Sequence, residues 1–166
     1  MDPDAKKTAL RMIPYGIYVL TAEADGAVAA ATVNWVTQTA FDPPLLVVGM
    51  KADSGAYSIA KTAGHFALNM LGKGQQGQAF AFFKPAERDG NTISGEPFTS
   101  GTTGAPLLEI ALASVECSVA EIVERGDHHI VIGEVVNAIV SQAPDGRPDE
   151  AILHMRELGD NVFYGG

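Results

Sequence analysis

A chain of 166 residues with a formal net charge of -9, and only 11 lysines and arginines, lacks the clustered cations that a nucleic-acid backbone demands. Its single cysteine excludes a disulfide within the chain and a cysteine-pair metal site, and no apolar run reaches the roughly 20 residues of a membrane-spanning helix. With 46% hydrophobic residues, 18 glycines and 9 prolines, the sequence reads as one turn-rich domain over residues 1–166. The opening MDPDAKKTAL has no apolar signal core, so a reducing cytoplasm is the expected address.

In chain order, residues 4–12 read as a short helix ending ahead of Pro14, followed by a strand from Tyr15 to Thr21. Asp25-Gly26 signals a hairpin turn into a strand rich in small residues, Val28 to Val36. Thr32, Asn34, Thr37, Gln38 and Thr39 place neutral hydrogen-bonding groups on that strand and just beyond it, with no charge between Asp25 and Asp42. Such groups need partners if sheltered: either other backbone or a polar, planar ligand. Asp42-Pro43-Pro44 turns the chain into a strand from Leu45 to Lys51.

Asp53-Ser54 is a plausible cap pair for a helix from Gly55 to Thr62 that stops at Gly64. Its first amides, with Ser54 and Lys51, form an anion seat, or else simply cap the helix. A strand from His65 to Leu71 and a helix from Gln75 to Phe83 flank Gly72-Lys73-Gly74-Gln75-Gln76-Gly77, which has the G-x-G-x-x-G spacing of a dinucleotide loop. The turn-rich stretch from Lys84 to Gly104 does not supply the parallel strand such a unit needs, so a capping loop is expected. From Ala111 to Val123 and from His129 to Val140 the pattern is a long antiparallel hairpin, and Ala151 to Met155 reads as a last strand. Six or so antiparallel strands with two short helices predict a small barrel.

His128 and His129, being adjacent on a strand, face opposite sides and cannot share one metal site. The sequence has no nucleophile elbow or Walker loop, so the chemistry is expected to belong to a cofactor.

The run Asn34-Trp35-Val36-Thr37-Gln38-Thr39-Ala40-Phe41-Asp42-Pro43-Pro44 resembles the signature strand and turn of the FMN-binding split-barrel, flavin-reductase-like family. Further landmarks follow in that family's order: Lys51 with Ser54, Phe66 to Leu71 followed by Gln75, Gly126-Asp127-His128 with Gly133-Glu134-Val135, and Gly159 with Tyr164. The Asn-Trp-Val-Thr-Gln form and His154-Met155-Arg156 look most like the flavin-reductase-like domain of flavodiiron proteins. The resemblance implies a mainly β, six-stranded antiparallel Greek-key split barrel with short flanking helices, forming a homodimer with flavin near the interface. It implies FMN, with FAD as an alternative, NADH or NADPH as co-substrate, hydride transfer between them, and an electron-acceptor protein as a further partner. A non-catalytic flavin- or haem-binding electron carrier is the alternative function.

By the same resemblance, Thr32, Val33, Asn34 and Trp35 would lie along the isoalloxazine, and Thr37, Gln38 and Thr39 would bond its polar edge or ribityl chain. Lys51 and Ser54 would hold the phosphate, His128 would stand on the nicotinamide side as the catalytic candidate, and Phe82, Phe83 and Tyr164 would pack at the ring or close the site. Trp35 stands where the family usually has Ala or Ser, and its indole is expected to restrict the cofactor face.

Overall fold

Two antiparallel sheets and a few short helices make up the computed structural model, which describes residues 1–166. The main sheet has seven strands in the order β2-β1-β5-β10-β11-β4-β3. These are β1 (Tyr18–Ala24), β2 (Ala27–Val33), β3 (Val36–Phe41), β4 (Pro44–Lys51), β5 (His65–Met70), β10 (Ala113–Val123) and β11 (His128–Val140). Between β5 and β10 the chain forms a second, four-stranded sheet of β6 (Arg88–Asp89), β7 (Thr92–Ile93), β8 (Glu96–Ser100) and β9 (Pro106–Leu108). Helices α1 (Pro3–Arg11), α2 (Gly55–Ala63), α3 (Gln76–Ala81) and the single turn α4 (Pro148–Ala151) flank the sheets.

The expected count of six strands is corrected to seven in the main sheet. The stretch read as one strand to Val36 breaks at Asn34-Trp35, where the chain leaves its pairing with β1 and takes up pairing with β4. At the break the Asn34 carbonyl accepts from Val36 N, and the Trp35 carbonyl accepts from Gly49 N at 2.8 Å. The sheet's two edge strands, β2 and β3, are thus neighbours in the chain. Three Cα steps separate Val33 from Val36, so these strand ends lie within about 11 Å of each other. Two further expectations change: the turn-rich stretch before Gly104 contains the small second sheet, and Ala151 to Met155 forms only isolated bridges, Gly16 with His154 and Gly72 with Ile152.

Local chemistry explains the elements that the sequence marked. Asp25 and Gly26 both have positive φ, at 52° and 79°, the conformation of a tight two-residue hairpin turn. Ser54 caps α2 by accepting from Tyr57 N at 3.1 Å, and Gly64 ends the helix in the left-handed region at φ 70°. The Gly72–Gly77 loop is spent on structure, because the Gln75 side chain accepts from Gly72 N at 2.8 Å and donates to the Ile110 carbonyl at 2.9 Å.

Strand β1 is buried on both faces, which is why its apolar residues run together rather than alternate with polar ones. Leu20 and Ala22 enter one apolar cluster with Val48, Met50, Phe66, Leu68, Cys117 and Val131 under α2. Ile17 and Val19 enter a second with Leu71, Phe82, Ile93, Phe98, Leu153 and Leu158. The buried amide of Asn69 links the layers: it donates to the Val19 carbonyl and Thr21 hydroxyl and accepts from Leu108 N and the Ser114 hydroxyl. All four bonds lie between 2.9 and 3.0 Å, so this buried polar group is satisfied. Burial pushes the Cys117 thiol up to about 12, which leaves it an inert core group.

Candidate functional site

A groove of about 300 Å³ opens where the end of β2, the ends of β4 and β11, α3 and the C-terminal residues meet. Antiparallel register puts His128 on β11 opposite Lys51 on β4, so one rim of the groove carries both. Its apolar lining includes Ile17, Leu20, Met50, Phe82 and Met155. Phe82 is buried, whereas Phe83 lines the mouth half exposed.

Lys51 and Ser54 lie together on the lining as the sequence predicts. The Lys51 amine is 3.0 Å from Asp53, whose hydrogen bond holds it in the charged form, pushing its pKa up. Ser54 donates to the Lys51 carbonyl at 2.8 Å while capping α2, so the backbone of Lys51 is tied to the start of a nine-residue helix. This is chemistry suited to an anion.

On the same rim stand His128 and Tyr164, with Trp35 packed against both. The His128 ring lies between the Asp127 carboxylate, 3.0 Å from Nδ1, and the Tyr164 hydroxyl, 2.7 Å from Nε2. The hydrogen bond with His128 holds Asp127 below the usual carboxylate range. Burial pushes the Tyr164 phenol up, which keeps its proton in place to donate toward His128. The indole of Trp35 packs 4.6 Å from the His128 ring and 5.4 Å from that of Tyr164. It lies behind the groove against Gly49, where a Cβ would come within 3.1 Å of the ring, so glycine is what lets the two strands approach. Its Nε1 is buried with no partner in the protein.

The other predicted positions divide. Thr32, Val33 and Asn34 line the groove, but the Thr32 hydroxyl already donates to the Ala79 carbonyl at 2.7 Å and so holds α3 in place. Asn34 is 5% exposed and donates to the Tyr164 carbonyl at 3.0 Å, tying the C-terminal residues down. Thr37, Gln38 and Thr39 are not brought to the groove: they lie exposed on the edge strand β3, and each side chain donates to a nearby backbone carbonyl. His128 and His129 face opposite sides as expected, His129 packing edge-on to Tyr57 at 4.9 Å. Asp127, Met50 and Met155 were not singled out as site residues. Asp127 was legible only as a neighbour of His128 in the Gly126-Asp127-His128 landmark, and a methionine on a lining carries no signal that separates it from core.

A mainly antiparallel β chain thus carries an apolar groove whose rim holds a cation, a helix start and an imidazole–phenol pair, a lining suited to a ligand with both apolar and anionic parts. Residues 10–158 match the family model described as "Flavin reductase like domain", and the chain belongs to that family. It is 33% identical over 161 residues to diflavin flavoprotein A 1 of a Synechocystis species, covering 96% of this chain and 27% of that protein. It is 30% identical over 136 residues to a flavin reductase of Pseudomonas putida, covering 81% and 78% of the two chains. Among solved structures, BorF, the flavin reductase component of a bacterial two-component tryptophan halogenase, superposes with a TM-score of 0.76 at 25% identity, covering 98% and 96%. The NADH:FAD oxidoreductase SgcE6 of Streptomyces globisporus gives 0.72 at 26%, covering 84% and 85%. The chain spans 42%, 27% and 57% of three of its curated relatives' own lengths. No helix is long and apolar enough to cross a membrane.

Proposed function

We propose that this protein is an NAD(P)H-dependent flavin reductase that binds FMN in the groove lined by Lys51, Ser54 and His128. The observation that carries the reading is the make-up of that groove, an apolar lining whose rim brings a cation, a capped helix start and an imidazole together. A bound flavin supplies the ring that accepts hydride from reduced nicotinamide.

Lys51, Ser54 and the first amides of α2 hold the phosphate, Asp53 yielding Lys51 to it. Val33, Asn34 and Phe82 bound the ring, and Phe83 shields it at the mouth. The buried Nε1 of Trp35 is an unspent donor beside the site. His128, oriented by Asp127, presents its other nitrogen where a nicotinamide would enter, and Tyr164 must leave that nitrogen for His128 to bond anything else.

The whole chain acts as one domain in this reading. The sheet curls into a Greek-key split barrel whose edge strands β2 and β3 stay unpaired with each other, a curvature supported by the short Asn34-Trp35 link between them. A homodimer fits the open edge of β3, where Thr37, Gln38, Thr39 and the 91%-exposed Phe41 face outward and would meet a second copy close to the groove. The reduced flavin, or its electrons, then passes to an acceptor protein, and the cytoplasm is the expected compartment.

The test is an anaerobic titration of the purified protein with FMN, followed by NADH or NADPH, read from 300 to 550 nm. Binding of FMN and its bleaching by a nicotinamide are expected. Lys51→Ala should weaken FMN by roughly tenfold, about 1.4 kcal/mol, and leave riboflavin unchanged. Protein that binds no flavin overturns the proposal; FMN that binds but stays oxidised with both nicotinamides makes the chain an electron carrier instead.

A further inference from the structure

A second groove of about 380 Å³ lies beside the first and shares Met155 and Tyr164 with it. The end of α1 and the segment from His154 to Gly165 form its walls. Four of the chain's 11 lysines and arginines, Lys51, Lys61, Arg88 and Arg147, are held in carboxylate pairs. Arg11 and Arg156 are in none, and both line this groove. In a chain of net charge -9, two unneutralised guanidinium groups facing one small space are a local reversal of sign.

Arg11 is also held in place. Its Nε donates to the Gly165 carbonyl at 3.3 Å and its guanidinium lies 4.2 Å over the Phe163 ring, leaving the two terminal nitrogens without acceptors in the protein. Tyr15 and Phe163 add flat surfaces, and Asp160 adds one carboxylate that would repel a bare polyanion but can accept from a sugar hydroxyl. Guanidinium for phosphate, aromatic faces for a base and a carboxylate for hydroxyls together match an adenosine phosphate.

Size supports the same match. The first groove lies at the small end of the range for ligand sites, roughly 300–1,000 Å³, and a flavin leaves no room there for a dinucleotide. We infer that the second groove takes the adenosine-phosphate arm of the nicotinamide dinucleotide, with Arg11 and Arg156 on its phosphates and the nicotinamide crossing the Met155–Tyr164 divide into the flavin groove. This rests on the flavin-reductase reading.

The experiment is steady-state flavin reduction with NADH, NADPH and reduced nicotinamide mononucleotide, which has no adenosine arm, on the wild type, Arg156→Gln and Arg11→Gln. Arg156 is exposed and without an ion pair, so its variant keeps the fold even if the Arg11 variant loosens the C-terminal residues. Expected is a rise in KM of about tenfold for a dinucleotide at constant kcat, with the mononucleotide unaffected and AMP competing against NADH. A rise for both dinucleotides assigns the arginines to the shared phosphates; a rise for NADPH alone assigns them to its extra phosphate. Unchanged KM values in an active enzyme, or AMP competing with FAD and not with NADH, overturn the inference alone. A wild type inert to every nicotinamide overturns the reading beneath it.

Discussion

Glu116 is 1% exposed, yet it is held as a carboxylate. Its oxygens accept from the backbone and hydroxyl of both Thr102 and Thr103, at 2.7–3.2 Å, and from Asn137 at 2.7 Å. Burial opposes the charge, but these bonds outweigh it and bring the group from its ordinary 4.5 down to about 2. A lowered folded value stabilises above the unfolded one, so this contribution, about 3 kcal/mol, is complete above pH 4.5 and fades as pH falls toward 2. Glu116→Gln sets an amide donor against the threonine donors. Urea unfolding should show a loss of roughly 2–3 kcal/mol at pH 7 and a shallower decline between pH 4.5 and 2. Placements were legible where the chemistry is local: the juxtaposition of Ser54 with Lys51 follows from helix capping, and the opposed His128 and His129 follow from strand alternation. Thr32 was not, because its hydroxyl bonds Ala79, 47 positions away, which no local pattern records.

At the scale of elements, β11 approaches β5 and β10 closely at Gly133. A Cβ there would come within 2.7 Å of Phe66 Cζ and 2.9 Å of Cys117 Cβ, both fully buried atoms with nowhere to move. Gly133→Ala should therefore lose about 1–3 kcal/mol and lower the midpoint of thermal unfolding. Gly55→Ala, at a helix start with nothing within 4 Å of the new methyl, should be neutral or slightly stabilising in the same scan. The helix boundaries and the long hairpin were readable because caps and turns announce themselves in sequence. The break at Asn34-Trp35 was not, since β-branched and aromatic residues continue on both sides of it and only pairing to a different strand separates β2 from β3. That break also accounts for the position of Thr37, Gln38 and Thr39 away from the groove lining, since one continuous strand would have kept them in line with Asn34. The second sheet was hidden because its strands are two to five residues long and the span from Arg88 to Leu108 carries four glycines and two prolines.

For the molecule as a whole, the chain's two ends meet over the grooves. Gly165 and Phe163 pack on Arg11 of α1, while Tyr164 bonds Asn34 through its carbonyl and His128 through its hydroxyl. Removing residues 160–166 frees His128 and opens one wall of both grooves while leaving each sheet intact. Circular dichroism should stay unchanged, and FMN dissociation, followed by the return of free-flavin fluorescence, should quicken by roughly tenfold. That antiparallel strands dominate was legible from turn spacing. The order of those strands was not, because a pairing such as β4 with β11 joins residues about 80 positions apart and depends on the finished core.

The tryptophan at the strand break has one more consequence. It is the only indole in the chain, and it touches both the imidazole and the phenol that guard the groove. Its emission therefore comes from a single place, and that place is the one where ligand entry, tail movement and histidine protonation all register. The protein carries its own optical probe at its site, with no label to attach and no second tryptophan to subtract.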